Sequence, residues 1–73
     1  MRITSGALKH GIAEETIRAV LAAPLRTVPQ GGRTLLIGVD AARDLVEVVV
    51  EEEDRVVHAM RLRPKNYHHL RPV

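Results

Sequence analysis

Residues 26–63 read RTVPQGGRTLLIGVDAARDLVEVVVEEEDRVVHAMRLR, and the spacing of apolar residues within them decides the fold. Gln30-Gly31-Gly32 is a hairpin turn signal between two extended runs. In RTLLIGVD, Leu35, Ile37 and Val39 fall on one face at period two. A polar turn, Ala41 to Asp44, precedes LVEVVVEEE, where Val46, Val48 and Val50 alternate with Glu47, Val49 and Glu51. The acidic turn Glu52-Glu53-Asp54 leads into a fourth run, RVVHAMRLR, which Pro64 closes. Four strands with short connections predict an antiparallel meander, and a lone sheet must have at least one face covered.

The cover is supplied by the N-terminal third. LKHGIAEETIRAVLAAP places Ile17, Val20 and Leu21 at i, i+3 and i+4, with Glu14 and Glu15 in the first turn, where the helix dipole favours carboxylates. That pattern predicts an amphipathic helix over residues 13–23, which Pro24 ends. Upstream, SGALKHG predicts a short helical stretch with Ser5 as N-cap and Gly11 at its end. The fold class is therefore α+β: an N-terminal helical hairpin packed on a four-stranded antiparallel meander sheet, with KNYHHLRPV as a short C-terminal helix or tail. Residues 1–73 make a single domain.

Composition bounds the function. A domain of 73 residues buries only about 60% of the surface that its unfolded chain exposes, so a homodimer or a bound partner chain is expected to support it. The chain has no cysteine, which excludes disulfide staples and thiolate metal sites. MRITSGALKH lacks the apolar core of a signal peptide, and no stretch reaches the ~20 apolar residues of a membrane helix. A cytoplasmic protein without a membrane partner is expected. No Walker-type loop, GxGxxG or GxSxG motif occurs, and no cofactor is implied.

The net charge of +2 conceals a division of the chain. Residues 1–54 hold six basic and nine acidic side chains, whereas residues 55–73 hold five basic ones, three of the four histidines, the only aromatic ring and no acid. Arg61, Arg63 and Lys65 read as a phosphate-binding patch, because guanidinium groups match phosphate geometry. They also read as cations offsetting Glu51 to Asp54 across the hairpin. His58 is a candidate proton carrier, and equally a packed strand histidine; in a regular strand it shares a face with Val56 and Met60. His10 suits the end of a helix. His68 and His69 are neighbours whose side chains should diverge, so no metal site is expected there. Tyr67 is a single stacking platform, too few for a protein that binds single strands by aromatic stacking. Residues Lys65, His68 and Arg71 extend the cationic tail that would contact a nucleic-acid backbone.

The segments ALKHGIAEETIRAVLAAPLRT and VVHAMRLRPKNY resemble the small bacterial proteins of the DUF4258 and BrnT-toxin kind, whose fold is similar to RelE and ParE toxins. The resemblance runs from about Ala7 to Tyr67. It implies a single RelE-like domain acting as the toxin of a type II toxin–antitoxin pair: a metal-independent endoribonuclease held inactive by a small antitoxin protein. The catalytic residues it implies are His58, Arg61, Arg63 and Tyr67. BrnT-like toxins end the last strand with serine-alanine-arginine, and here His58-Ala59-Met60 stands there. Those toxins also carry a glutamate before the later tyrosine, whereas residues 55–73 here hold no acid, so a carboxylate base there would be replaced by a histidine or lost. A noncatalytic RNA- or DNA-binding module and a protein-interaction domain remain alternatives on the same fold.

Overall fold

A computed structural model of the chain describes residues 1–52 and 54–72. Its elements are β1 (Arg2–Ile3), α1 (Ser5–Leu8), α2 (Glu14–Ala22), β2 (Arg26–Pro29), β3 (Arg33–Val39), β4 (Leu45–Glu51), β5 (Arg55–Arg61) and a 3₁₀ helix (Pro64–Leu70). The chain is α+β. The strands form one sheet in the order β1-β5-β4-β3-β2.

The sheet has five strands and is mixed, which differs from the expected four-stranded antiparallel arrangement. Strands β2 to β5 run antiparallel to their neighbours, but β1 lies parallel to β5, with Arg2 opposite Arg55 and Ile3 opposite Val56. Two residues show no alternation, so nothing local marks β1 as a strand. It is held by long-range bonds instead: the Arg2 amide to the Asp54 carbonyl at 2.7 Å, and the Thr4 amide to the Val56 carbonyl at 3.1 Å. Thr4, not Ser5, occupies the N-cap position of α1, and its hydroxyl donates to the Val56 carbonyl at 2.8 Å. α1 is a single turn, so the N-terminal arm pairs one short turn with one nine-residue helix.

The two central glycines of the β2–β3 turn have φ of +51° and +68°, the positive values that a type I′ hairpin demands at both positions. Gln30 and Arg33 close it with an amide-to-carbonyl bond of 2.8 Å. The acidic β4–β5 turn contains Glu53, which lies outside the described residues.

Both faces of the sheet are covered. Ile17 and Val20 of α2 and Ala7 of α1 pack on Leu36, Val46, Val48, Val50, Val56 and Ala59. The opposite face carries Leu35, Ile37 and Leu62, with Leu45, Val49 and Leu70 against them. α2 approaches so closely that a Cβ built on Gly38 would stand 2.9 Å from Val20 Cγ2. No helix among the described residues is long and apolar enough to cross a membrane.

Strand β5 is not regular. Val49 pairs with His58 but Val50 pairs with Val56, so Val57 is an extra, bulged residue. The bulge reverses the alternation that the sequence predicts. Val56 and Ala59 both join the helix-side core, and His58 and Met60 face the other side, opposite Val49 and Glu47.

Candidate active site

The face away from the helices contains an anomaly. Glu47 lies mid-strand in β4 with no exposure to solvent. An isolated carboxylate there would be costly, and the chain supplies donors to compensate. Oε1 accepts the Arg63 amide at 2.8 Å and Asn66 Nδ2 at 3.0 Å. Oε2 accepts Arg63 Nε at 2.8 Å and His58 Nε2 at 2.8 Å, and Arg63 Nη2 stands 2.6 Å from it as an ion-pair contact. Burial pushes the Glu47 carboxyl up, and the bonds from Arg63, His58 and Asn66 together outweigh it, lowering the pKa from 4.5 to about 2.

Local sequence explains how these donors converge. Leu62 continues from β5 with its amide on the Leu45 carbonyl at 3.0 Å. Arg63 precedes a proline, which disfavours helical backbone, and it adopts the extended values φ −83° and ψ 148°. Its amide therefore points at Glu47 instead of continuing the ladder. Pro64 then starts the 3₁₀ helix, with the Asn66 amide on the Arg63 carbonyl at 2.9 Å, and this turn returns the Asn66 side chain to the same carboxylate.

The bond to Glu47 fixes the tautomer of His58. A carboxylate only accepts, so Nε2 carries the hydrogen, and in the neutral ring the lone pair is on Nδ1. Arg63 Nη2 lies 3.5 Å from the same Nε2, but both are donors and no useful bond forms between them. His58 is partly exposed, with 21% of its side chain accessible. It opens into a depression of about 380 Å³ lined by Gln30, Arg33, Val49, Val57, His58, Arg63 and Lys65. An imidazole held from behind by a buried carboxylate and three cations thus border one opening. A larger depression of about 640 Å³ at the β2–β3 turn has Arg33 and Glu52 in its lining and no histidine.

Of the residues singled out in the sequence, His58, Arg63 and Lys65 meet at this depression. Arg61 does not join them. Its guanidinium pairs with Asp44 at 2.9 Å and reaches Asp40 at 4.0 Å, at the β3–β4 turn. Tyr67 stands on the 3₁₀ helix with 53% of its surface exposed. His68 and His69 do not diverge as expected; their rings lie 3.9 Å apart with planes tilted by 40°. Arg71 follows the helix, its amide on the His68 carbonyl at 3.3 Å. No group of three or more histidine or acidic side chains suited to a metal ion occurs among the described residues.

Glu47, Asn66, Gln30 and Arg33 are the site residues that sequence reasoning missed. The signal for Glu47 was present: an acid with Leu45 and Val49 on its own alternation, opposite a strand apolar on both of its faces. Arg33 was concealed within a hairpin. It holds Glu51 at 2.8 Å, and Arg55 holds the same carboxylate at 2.7 Å. In comparison with known proteins, the chain matches no family model, no curated protein and no solved structure.

Proposed function

We propose that this protein is a small toxin-like endoribonuclease that cleaves RNA without a metal ion. The reading draws on the antiparallel β2–β5 meander with helices on one face, the scaffold implied by the resemblance to RelE-like toxins. The observation that carries it is His58, held through Nε2 by a buried carboxylate and bordering a depression lined by Arg33, Arg63 and Lys65. A fixed imidazole backed by a carboxylate is the arrangement by which a weak hydroxyl nucleophile is activated.

The proposed chemistry is transfer to the neighbouring 2′-oxygen. His58 Nδ1 takes the proton of the 2′-hydroxyl, and the 2′-oxygen forms a bond to phosphorus. The bond from phosphorus to the 5′-oxygen breaks, and that oxygen leaves with a proton. The products are a 2′,3′-cyclic phosphate and a 5′-hydroxyl. Charge developing on the phosphorane oxygens is met by Lys65 and by those N–H groups of Arg63 that do not face Glu47, the preorganised electrostatic stabilisation that dominates many such reactions. Deoxyribose lacks the nucleophile, so DNA would bind without being cut. The resemblance adds a small antitoxin chain that would cover this opening.

A second reading is supported by the same bonds: Glu47 tethers Arg63 and Asn66, and the cations bind RNA without cutting it. Induced expression in bacteria separates the two, with cellular RNA integrity followed in wild type and in His58→Gln. Glutamine retains a donor for Glu47 but offers no imidazole lone pair. Growth arrest with fragmented RNA, absent in a folded His58→Gln variant, is expected. Intact RNA at confirmed expression of wild type would leave the binding reading in its place.

A further inference from the structure

We propose that His10 is a second catalytic residue, the general acid that protonates the leaving 5′-oxygen; this rests on the ribonuclease reading above. The imidazoles of His10 and His58 stand edge to face, with ring centroids 5.7 Å apart and planes at 70°. The two residues are distant in sequence, and the tertiary structure brings them together in a specific way. His10 lies just past α1, exposed, in the connection to α2. α1 is seated on the bulge of β5, where a Cβ on Gly6 would come within 3.2 Å of the Val57 carbonyl oxygen. The bulged residue that turns His58 toward the depression is thus also the seat of the turn that carries His10.

The hydrogen-bond pattern divides the roles. His58 has its Nε2 hydrogen committed to Glu47, so its Nδ1 is an acceptor and suits the base. His10 is exposed to solvent, and the acid role falls to it. Transfer to the 2′-oxygen needs both functions, because the attacking and leaving oxygens lie on opposite sides of phosphorus. The 2′-hydroxyl proton passes to His58 Nδ1 as the new O–P bond forms. The electron pair of the breaking P–O bond goes to the 5′-oxygen, which takes the proton of the His10 imidazolium. No oxidation or reduction occurs, and solvent restores both imidazoles.

Sulfur substitution tests the assignment, since a thiolate leaves without being protonated. The purified full chain is given an oligoribonucleotide with one cleavable linkage, and the same oligomer with sulfur in place of the bridging 5′-oxygen. His10→Asn should slow cleavage of the oxygen substrate by ~10²-fold or more. The same variant should cut the sulfur substrate within a few-fold of wild type, whereas His58→Gln should be slow on both. His10→Gln serves as a second variant, with circular-dichroism melting as the check that each folds. Equal slowing of His10→Asn on both substrates would make His10 a positioning residue and overturn the acid role. Wild-type rates for His10→Asn on the oxygen substrate would overturn any catalytic role. If wild type cuts neither substrate, the ribonuclease reading falls as well.

Discussion

Glu47 is a carboxylate whose hydration shell has been replaced by four protein hydrogen bonds, two of them from one arginine, whose Nη2 adds an ion-pair contact. Removing its charge leaves the half-buried Arg63 guanidinium facing a neutral amide at a fully buried position. Glu47→Gln should lower the unfolding free energy at neutral pH by about 3 kcal/mol. The sign with pH follows from the depressed pKa. The native carboxyl titrates at about 2 against 4.5 for the ordinary group, so its stabilisation is complete above the higher value. It is lost as pH falls through the lower one, and the gap between wild type and variant should close over that range. Urea denaturation at a series of pH values measures this; a constant gap down to pH 2 would mean that the charge is not its source. His58→Gln is expected to retain most of the stability, since one donor to Glu47 survives, but to cut RNA ~10²-fold more slowly or worse. His58, Arg63 and Lys65 were legible in the sequence as chemistry-bearing residues because the excess of cations in residues 55–73 marks them. For Glu47 the apolar neighbours Leu45 and Val49 on its own face were the signal, but alternation is silent on which donors would meet a buried acid.

Elements owe their positions here to packing more than to propensity. The ion pair on α2, Glu14 with Arg18 at 3.0 Å, is exposed, and an i,i+4 pair of this kind is worth only about 0.3–0.5 kcal/mol. Burying Ile17 and Val20 is worth about 1.5–3 kcal/mol each. That packing needs Gly38 beneath Val20, where any Cβ would stand 2.9 Å from a valine methyl. Val20 is β-branched and fully buried, so it cannot swing aside. Gly38→Ala should therefore cost about 1–3 kcal/mol in a urea titration, as overpacking does elsewhere. Val20→Ala in the same chain should recover part of that loss, because the two changes share one contact. If the double variant is as unstable as the sum of its parts, the clash is not the cause. α2 and β2 to β5 were readable because each has a period: 3.6 for the helix, two for the strands. β1 has too few residues for a period, and the bulge at Val57 interrupts one. Both are held by contacts with distant parts of the chain, Arg2 with Asp54 and Gly6 against the Val57 carbonyl.

At the scale of the whole molecule, charge is sorted by where the fold spends it. Arg33 and Arg55 are engaged by Glu51, Arg61 by Asp44, and Arg63 by Glu47. Lys65 borders the depression with no carboxylate recorded beside it among the described residues. Binding of single-stranded RNA should weaken steeply with salt, and Lys65→Ala should reduce the slope of log K against log salt by about 0.7, the contribution of one phosphate contact. Arg43→Ala, in the turn at the far end of β3, should leave that slope unchanged. Fluorescence titrations of labelled RNA at several salt concentrations distinguish the two; equal effects would mean that the cations act only as net charge. The sequence by itself determined the α+β class, the β2–β5 meander, the amphipathic α2 and the cationic character of residues 55–73. All of these depend on periodicity, turn residues and composition, which act over a few neighbours. Only the tertiary structure decided that β1 joins in parallel, that the bulge turns His58 away from Val56, and that Arg63 and Asn66 bind Glu47. Only it brought His10 to His58. The reason is physical: a buried charge is tolerated only where donors converge from several segments, and convergence is a property of the folded chain.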